Sequence, residues 1–597
     1  MTKKLDEKQL AMIDDWVAAA QKSYRSRDYL QTIELCKKIL NLQANNPAAH
    51  NLFGVIAYRS NHLPQAIRHF TEAINAQPDN HSHYVGLGQV YAAQRDDDKA
   101  IDVYRQAQRL NPQDHKIYNN VGFLLKRAGR FQEAIEAFNA SLRINQNYAL
   151  AHNNLGMVLQ EKGLIEEAVK HFRIASRLNP TPFVKAQGNL LFLQAAFCLC
   201  PSGELLRQHR EWGERQRAGK DIGRWPRVAD PDPSRRLRIG YVSADFRQHP
   251  VATFMEPLFR NHDSNAVEIF CYAGAFQPDA ISHQLESLSD HWCTTTELSD
   301  SALERRIRQD KIDILIDLGG HTANNRLAIF TRRLAPIQAT YLGYCASTGL
   351  EAMDYWITDT VLHPRDTQEC ASEQIYRLPR CWVCYQPPEG APDVSQREAN
   401  LNQITFGSLN NVHKMSDDVY QAWAEILHSL PGSRLVLKSS RLEVQGVSDE
   451  LLSKFRSLGI DTSRIELQTR TPPPDYLTVY DKIDIALDTF PRTGGTTAAD
   501  ALWMGVPVIT LAGERYVERL VASKLEAIGR PEWVATNPQE YIAKAIELAQ
   551  NPALLKELRV TQRQQIEQSP LCDAKGLAQT MEQAYREMWL NFLRHKE

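Results

Sequence analysis

The chain has 597 residues, 43% hydrophobic and 23% charged, a composition typical of a globular protein in water. This length is too great for one hydrophobic core and predicts three or more folded units. The formal net charge of -2 disfavours binding to nucleic acid, and no apolar run reaches the length of a transmembrane helix.

The N-terminal sequence MTKKLDEKQLAMIDDW has a charged, helical pattern and does not resemble a signal peptide. The ten cysteines are sparse, and Cys381-x-x-Cys384 has no second pair at the spacing of zinc ligands. We therefore expect a cytoplasmic protein with reduced thiols, no membrane association, and no bound metal or cofactor.

The first third of the chain repeats with a period of 34 residues. The repeating residues are Gly54, Gly88, Gly122 and Gly156; Ala66, Ala100, Ala134 and Ala168; and Phe70, Tyr104, Phe138 and Phe172. A small residue in mid-helix lets a neighbouring helix approach, and the aromatic residue lies one turn after the alanine. This pattern resembles tetratricopeptide repeats and predicts an α-helical solenoid in residues 1–181, with about five repeats.

A solenoid presents a concave surface to an extended polypeptide. Asn119, Asn120, Asn153 and Asn154 occupy matching repeat positions there. They either bind a peptide backbone or simply solvate the inner face, and solvation is the better interpretation of any single one.

Apolar helical stretches over residues 182–234, ending in RWPRVADPDPSRR, predict a helical linker. Beyond it, short apolar strands alternate with helices, which indicates parallel sheets with right-handed crossovers. The predicted strands are LRIGYVS, VEIFCYAG, KIDILIDLGG, IQATYLGY, ITFGSLN, RLVLKSS, DIALDTF and VPVITLAG. We predict two Rossmann-like domains facing a cleft, residues 235–395 and residues 396–597, the second with C-terminal helices. Neither half carries a GxGxxG motif, which disfavours a nicotinamide or flavin cofactor.

Ligands of parallel sheets bind beyond the carboxyl ends of the strands, so the loops that follow strands are the candidate sites. In PRTGGTTAADALWMG, Gly494 and Gly495 permit close backbone approach, and Thr496 and Thr497 open a helix whose unpaired amides suit a diphosphate. Asp500, one turn later, is placed to accept hydrogen bonds from a ribose. Taken alone, this loop is equally well explained as a glycine turn with a helix cap.

A second loop of this kind is FGSLNNVHKMSDD. Lys414 precedes the expected helix cap, Ser416, by two residues and adds its charge to the partial positive charge of the helix N-terminus. A lysine here is normally a solvated surface residue. Two anion-binding loops at adjoining strand ends instead favour a shared phosphate site.

Three loops of the first Rossmann-like half point to the same cleft. Asp245 and His249 follow the first strand, where the histidine is either a proton acceptor for a hydroxyl or a helix cap. The loop GGHTANN is rich in groups that bind sugar hydroxyls, although an asparagine-stabilised turn has the same composition. Its polar residues are His321, Thr322, Asn324 and Asn325. LGYCASTG, residues 342–349, brings glycines that let backbone amides touch a ligand.

From about Leu237 to Phe592 the chain resembles the catalytic region of the O-GlcNAc transferase and SPINDLY family, whose members also carry tetratricopeptide repeats. The motifs that carry this resemblance are YVSADFRQHP, GHTANNRL, APIQATYLGY, DYWITD, FGSLNNVHK, LDTFPRTGGTT and ALWMGVPVIT. The resemblance implies a GT-B fold. It also implies metal-independent, inverting transfer of a sugar from a nucleotide diphosphate to serine or threonine of a protein.

The resemblance also implies roles for single residues. Lys414 matches the family lysine on the donor diphosphate, Asn411 stands where these transferases often have glutamine near the phosphates, and His249 matches the proposed base. The other matches are Thr496 and Thr497 at the phosphate-binding helix, Asp500 at the ribose, Thr471, Pro473 and Tyr476 beside the nucleobase, and Leu342 and Gly343 near the sugar.

Two departures from the family pattern leave the donor open. Gly495 replaces the histidine that animal O-GlcNAc transferases place before the threonine pair, and FGSLNN with GHTANN is more similar to SPINDLY, whose plant members transfer fucose from GDP-fucose. Asp500 agrees with the O-GlcNAc transferases.

Our first hypothesis is transfer of GlcNAc from UDP-GlcNAc to a protein that the repeats bind. The alternatives are SPINDLY-like O-fucosyl transfer from GDP-fucose and a tetratricopeptide scaffold with an inactive transferase. A homo-oligomer is compatible with the sequence, and the acceptor proteins are left open.

Overall fold

The computed structural model describes residues 6–178, 184–217, 219, 221–223, 228, 230–275, 277–395, 403–444, 446–472 and 474–595. The chain divides into two compact units, Met1–Pro180 and Thr181–Glu597. The first consists of helices, as its sequence period predicts, and the second contains two parallel sheets.

The helices of the first unit follow one another as antiparallel pairs. They are α1 (Glu7–Arg25), α2 (Tyr29–Leu42), α3 (Pro47–Arg59), α4 (Leu63–Ala76), α5 (His81–Ala93), α6 (Asp97–Leu110), α7 (His115–Arg127), α8 (Phe131–Ile144), α9 (Ala149–Glu161) and α10 (Ile165–Leu178). Asparagine and aspartate begin several of them; for example, the Asn46 side chain accepts a hydrogen bond from the Ala49 amide.

Each repeating glycine lies against the repeating aromatic residue of the same helix pair. A Cβ atom on Gly54, Gly88, Gly122 or Gly156 would lie 2.7–3.0 Å from the ring of Phe70, Tyr104, Phe138 or Phe172, respectively. The repeating alanines are fully buried. The period therefore reflects a packing requirement that recurs in every repeat.

The asparagines at the matching repeat positions are largely engaged within the solenoid. Asn119, Asn153 and Asn154 are buried, and Asn154 Nδ2 donates to Asn119 Oδ1 at 3.0 Å. Asn120 is half-buried. At least two of the four therefore link adjacent repeats, which limits their use in binding a peptide.

In the second unit, two helices precede a seven-stranded parallel sheet with the strand order β3-β2-β1-β4-β5-β6-β7. The helices are α11 (Val184–Ala196), α12 (Ser202–Arg217), α13 (Pro250–Asn261), α14 (Ala280–Ser287) and α15 (Asp300–Asp310). The strands are β1 (Leu237–Ser243), β2 (Val267–Ala273), β3 (His291–Thr294), β4 (Ile314–Asp317), β5 (Ile337–Tyr341), β6 (Tyr355–Asp359) and β7 (Gln374–Leu378). This sheet and its helices form the N-terminal lobe.

The C-terminal lobe is built on a six-stranded parallel sheet with the order β10-β9-β8-β11-β12-β13. Its strands are β8 (Thr405–Ser408), β9 (Arg434–Lys438), β10 (Ile465–Gln468), β11 (Ile485–Leu487), β12 (Val508–Leu511) and β13 (Val534–Ala535). Its helices are α16 (Asp417–Ser429), α17 (Val447–Ser457), α18 (Thr496–Trp503), α19 (Leu520–Ala527), α20 (Pro538–Ala549), α21 (Pro552–Glu567) and α22 (Ala574–Arg594). Both lobes are Rossmann-like, as predicted.

The structure corrects two of the predicted boundaries. The helices α11 and α12 of the predicted linker pack into the core of the N-terminal lobe, where Trp212 is buried and His209 Nε2 lies 2.6 Å from the Tyr344 hydroxyl. The final helix, α22, returns to the N-terminal lobe, and the hydroxyls of Tyr241 and Tyr585 lie 2.8 Å apart. Apolar faces on these helices are buried against that lobe, so it extends beyond residues 235–395 at both ends.

Candidate active site

A cavity of about 730 Å³ lies between the two lobes of the second unit. His249 and Thr253 line it from the N-terminal lobe, and Tyr476, Thr496 and Asp500 line it from the C-terminal lobe. The carboxyl end of β1 leads into the segment of His249, and that of β11 leads into the segment of Thr496 and Asp500. This is the position expected for a ligand of parallel sheets.

The loops that follow β8 and β11 meet through Lys414. Its Nζ donates to the carbonyl oxygen of Thr493 at 3.1 Å and to Asn410 Oδ1 at 3.3 Å. Ser416 caps α16 as predicted, since its hydroxyl accepts a hydrogen bond from the Val419 amide. The two loops predicted to share a phosphate site are therefore adjacent.

Burial and neighbouring cations lower the pKa of the Lys414 ammonium. Desolvation, together with the nearby charges of Arg492 and Lys524, lowers its pKa to about 7, although Asp488 acts in the opposite direction. No carboxylate among the described residues forms an ion pair with its ammonium. An arriving anion would favour the protonated form of Lys414 and would bind more tightly for that reason.

Asn410, rather than its neighbour Asn411, connects the groups of this site. Its Oδ1 accepts hydrogen bonds from Lys414 Nζ and Thr497 Oγ1, and its Nδ2 donates to Asp488 Oδ1 at 3.1 Å. Asn411 Oδ1 is buried without a hydrogen-bond partner among the described residues. Asn410 thus positions Lys414 and Thr497, while Asn411 retains an acceptor for a ligand.

The two glycines of the β11 loop differ in their surroundings. A Cβ atom on Gly494 would lie 3.0 Å from both Asp488 Oδ1 and Thr497 Oγ1, so a larger residue would disturb the site. A Cβ atom on Gly495 would meet nothing within 4 Å. Gly495 precedes α18, and no side chain caps the first amides of that helix. Those amides are available to an anion.

Two tyrosines already bind Asp500. Tyr385 donates to one carboxylate oxygen at 2.7 Å and Tyr476 to the other at 2.9 Å, and burial raises the pKa of Asp500 to about 6. Each oxygen can still accept a second hydrogen bond. A ribose would therefore join an existing network.

The remaining residues expected beside the nucleobase are only partly described. Thr471 Oγ1 accepts a hydrogen bond from Lys438 Nζ at 2.7 Å. Tyr476 is half-buried at the wall of the cavity. Pro473 lies outside the described residues.

His249 caps a helix, as one of its two interpretations predicts, and it also lines the cleft. Its Nδ1 accepts a hydrogen bond from the Val251 amide at 3.3 Å at the start of α13 and lies 3.8 Å from Asp245 Oδ2. Burial lowers the pKa of His249, which favours the neutral ring. With Nδ1 as an acceptor, the neutral ring carries its proton on Nε2. Action as a base therefore requires the other tautomer.

The loop after β5 has a constrained backbone at Leu342 and Gly343. Leu342 has φ of 67°, in the left-handed region. A Cβ atom on Gly343 would lie 1.7 Å from the carbonyl oxygen of Leu318, so only glycine fits this position. Such strain costs on the order of 1–3 kcal/mol and is often found at ligand sites.

The structure places His321 and Thr322 differently from their predicted role with the sugar. The His321 ring is buried against Trp212 and Tyr344, and neither ring nitrogen has a hydrogen-bond partner among the described residues. The Thr322 hydroxyl donates to the Gly319 carbonyl at 2.7 Å, and Asn325 Nδ2 donates to the Thr322 carbonyl at 2.7 Å. This loop is an asparagine-stabilised turn, the alternative that its composition also allowed.

Family models and known relatives match both units. The chain matches the model for glycosyl transferase family 41 over residues 224–386 and 393–581, more than half its length. The chain belongs to glycosyl transferase family 41. Tetratricopeptide repeat models match residues 51–115 and 114–179.

Curated relatives of this family 41 chain include two plant SPINDLY proteins, each described as a probable UDP-N-acetylglucosamine peptide N-acetylglucosaminyltransferase. The protein of Arabidopsis thaliana is 35% identical over 396 residues, which is 65% of this chain and 43% of the relative. The protein of Oryza sativa subsp. japonica is 37% identical over 398 residues, 65% of this chain and 42% of the relative. The chain spans less than half the length of these relatives.

A solved structure is similar to this family 41 chain over most of its length. It is a mutant of the O-GlcNAc transferase of Thermobaculum terrenum, with a TM-score of 0.79 and 32% identity, covering 87% of this chain and 98% of that chain. The predicted combination of a tetratricopeptide solenoid with a GT-B fold is confirmed.

Several site residues of this family 41 chain were missed at the sequence level. Asp488 accepts hydrogen bonds from the Gly494 amide and the Thr510 hydroxyl, and Tyr385 and Lys438 reach the site from other segments. Arg492 was also missed, but a signal for it existed, because the sequence PRTGG places a charged residue inside the predicted phosphate loop. Within the described residues, no helix is both long and apolar enough to span a membrane, and no cluster of three metal-ligating side chains occurs.

Proposed function

We propose that this chain is a protein O-glycosyltransferase that transfers GlcNAc from UDP-GlcNAc to serine or threonine side chains, with inversion at the sugar carbon and without a metal. The observation that carries the proposal is the pairing of Lys414 with the loop before α18. It supports this function because both elements offer positive charge to one anion at the end of a parallel sheet.

In the proposed reaction, the acceptor hydroxyl attacks the anomeric carbon and the bond to the diphosphate breaks. Negative charge then increases on the leaving diphosphate, which the Lys414 ammonium and the first amides of α18 stabilise. Fixed donors of this kind typically lower the activation barrier by about 3 kcal/mol each. Charge compensation by these groups supports transfer without a divalent cation.

His249 is our candidate for accepting the proton of the acceptor hydroxyl. It lies in the same cavity as Thr496 and Asp500, and burial favours its neutral form. The proton leaves the hydroxyl as the new glycosidic bond forms, and the nucleoside diphosphate departs with the electrons of the broken bond.

The acceptor polypeptide is proposed to bind the concave surface of the tetratricopeptide solenoid. Half-buried Asn120 lies beside Tyr58 and Phe123 in a cavity of about 290 Å³. The exposed Phe123 ring gives this surface an apolar contact, which is characteristic of protein-binding sites.

The experiment is to incubate the full chain with peptide libraries and either UDP-GlcNAc or GDP-fucose, with and without EDTA, and to measure peptide mass. We expect a mass gain of one N-acetylhexosamine per site that EDTA does not abolish. A mass gain with GDP-fucose alone would show that the chain is an O-fucosyltransferase instead. This is the second candidate function, and the SPINDLY-like motifs GHTANN and FGSLNN favour it. No transfer from either donor would favour the scaffold alternative.

A further inference from the structure

Arg492 is a second cation beside the proposed phosphate site, and the reaction proposed above gives it no role. Its guanidinium carbon lies 5.2 Å from the ring centroid of Phe192 and 5.9 Å from that of Phe197. Phe192 belongs to α11, and Phe197 follows it. A guanidinium held on aromatic rings keeps its charge and can present its N–H edge to an oxyanion.

Two contacts place Arg492 beside Lys414. Arg492 Nη1 lies 3.4 Å from His413 Nε2, and Lys414 Nζ donates to the Thr493 carbonyl at 3.1 Å. Consecutive residues of one loop thus contact consecutive residues of the other. The two cationic side chains therefore emerge from the same seam between the loops.

Arg492 also approaches the loop that carries Leu342 and Gly343. Burial raises the pKa of the Cys345 thiol, two residues after Gly343, and the nearby charge of Arg492 acts in the opposite direction. Arg492 therefore lies between the phosphate loops of the C-terminal lobe and the strained loop of the N-terminal lobe.

The charges of this region are unbalanced. No carboxylate among the described residues lies within ion-pair distance of Arg492, Lys414 or Lys524. Asp488 acts on Lys414, and both Asp488 and Asp359 act on Lys524. The Asp488 oxygens already accept hydrogen bonds from the Gly494 amide and the Thr510 hydroxyl. The cluster keeps an excess of positive charge that an anionic ligand would neutralise.

We propose that Arg492 binds the sugar-proximal phosphate of the donor together with Lys414, and that Phe192 and Phe197 position its guanidinium. The inference rests on the proposed function, which supplies the nucleotide-diphosphate donor. As the bond to the anomeric carbon breaks, its electron pair moves to the oxygen of this phosphate. The guanidinium stabilises the charge that develops there.

The test compares binding of UDP, UMP, GDP and GMP to the full chain by calorimetry. Arg492→Met keeps an unbranched side chain over the phenylalanine rings but removes the charge. Arg456→Met, at an exposed position of α17, is the matched control. We expect Arg492→Met to weaken diphosphate binding by about 10- to 100-fold, the range for hydrogen bonds to charged groups, and to change monophosphate binding much less.

Three further results decide the inference. Arg492→Lys should recover part of the diphosphate affinity, and Phe192→Leu should weaken diphosphate binding while leaving monophosphate binding much less changed. Equal losses for diphosphate and monophosphate, or no loss in Arg492→Met, would overturn the role of Arg492. If a diphosphate binds as expected but neither sugar donor yields a modified peptide, only the proposed function fails. If none of the nucleotides binds the unchanged protein, both fail.

Discussion

The loops after β4 and β8 have similar sequences and opposite hydrogen-bonding patterns. Both follow a buried parallel strand, and both contain a histidine and two asparagines, GHTANN in the first and LNNVHK in the second. In the first loop, Thr322 and Asn325 bind backbone groups of their own turn. In the second, Asn410 and Lys414 bind groups of the β11 loop, some 80 residues away in sequence.

The neighbouring strand explains this difference. Next to β4, the β5 loop approaches so closely that Gly343 lies against the Leu318 carbonyl, which leaves no space for a ligand between them. Next to β8, the β11 loop contributes Gly494 and an uncapped helix N-terminus. In this chain, only the β8 loop therefore lies beside a loop that leaves donors and charge unsatisfied.

Among substitutions in these two loops, removal of Lys414 should cause the largest loss of transfer activity. We expect Lys414→Ala to lower kcat/KM by about 10²- to 10³-fold, because a fixed donor to the leaving group is lost. The fold should persist, since removing an unpaired, partly buried cation removes a desolvation cost. Peptide mass spectrometry and thermal melting provide the measurements. Thr322→Ala, in the β4 loop, is the control and should retain transfer; equal activity in the two variants would refute the assignment.

Asn410 should matter more than Asn411 for stability. We expect Asn410→Ala to lower the free energy of unfolding by about 1–3 kcal/mol, since buried Asp488 loses a donor, and to reduce transfer because Lys414 and Thr497 lose their shared acceptor. Asn411→Ala should leave stability unchanged and weaken donor binding only. Urea unfolding and steady-state kinetics measure these effects. Greater destabilisation by Asn411→Ala would contradict the hydrogen-bond assignment.

Donor binding should depend on pH through Lys414. Its pKa is about 7 in the free protein, and a bound diphosphate raises that pKa. Binding therefore takes up a proton near and above pH 7, and affinity should fall as pH rises above 7, by up to about tenfold per unit. Calorimetry in buffers of different ionisation enthalpy measures this uptake. Lys414→Arg, which stays protonated, should remove the dependence; an unchanged profile would assign it to another group.

The smallest effect is expected at His321. Because neither ring nitrogen has a partner among the described residues, His321→Phe should leave transfer unchanged and keep or slightly raise the melting temperature. Thr322→Val should lower the free energy of unfolding by about 1 kcal/mol through loss of its turn hydrogen bond. Differential scanning calorimetry measures the two stability changes, and peptide mass spectrometry measures transfer by His321→Phe. Loss of donor affinity in His321→Phe would restore its predicted sugar contact.

Much of the fold was predictable because its signals are local. Glycine and aromatic spacing predicted the solenoid, and apolar runs predicted β1, β2, β4, β5, β8, β9, β11 and β12. The strands not predicted were β3, β6, β7, β10 and β13, and four of them lie at sheet edges. An edge strand is covered less completely, so its sequence lacks a continuous apolar run.

For the active site, the sequence by itself determined which loops follow parallel strands, and it predicted that Lys414, Gly494 and the α18 N-terminus attract anions. Only the tertiary structure decided that Asn410 connects these groups, that tyrosines occupy Asp500, and that His321 faces a buried aromatic cluster. The physical reason is that residue type fixes hydrogen-bonding capacity, whereas the partners that consume it come from distant segments brought together by packing.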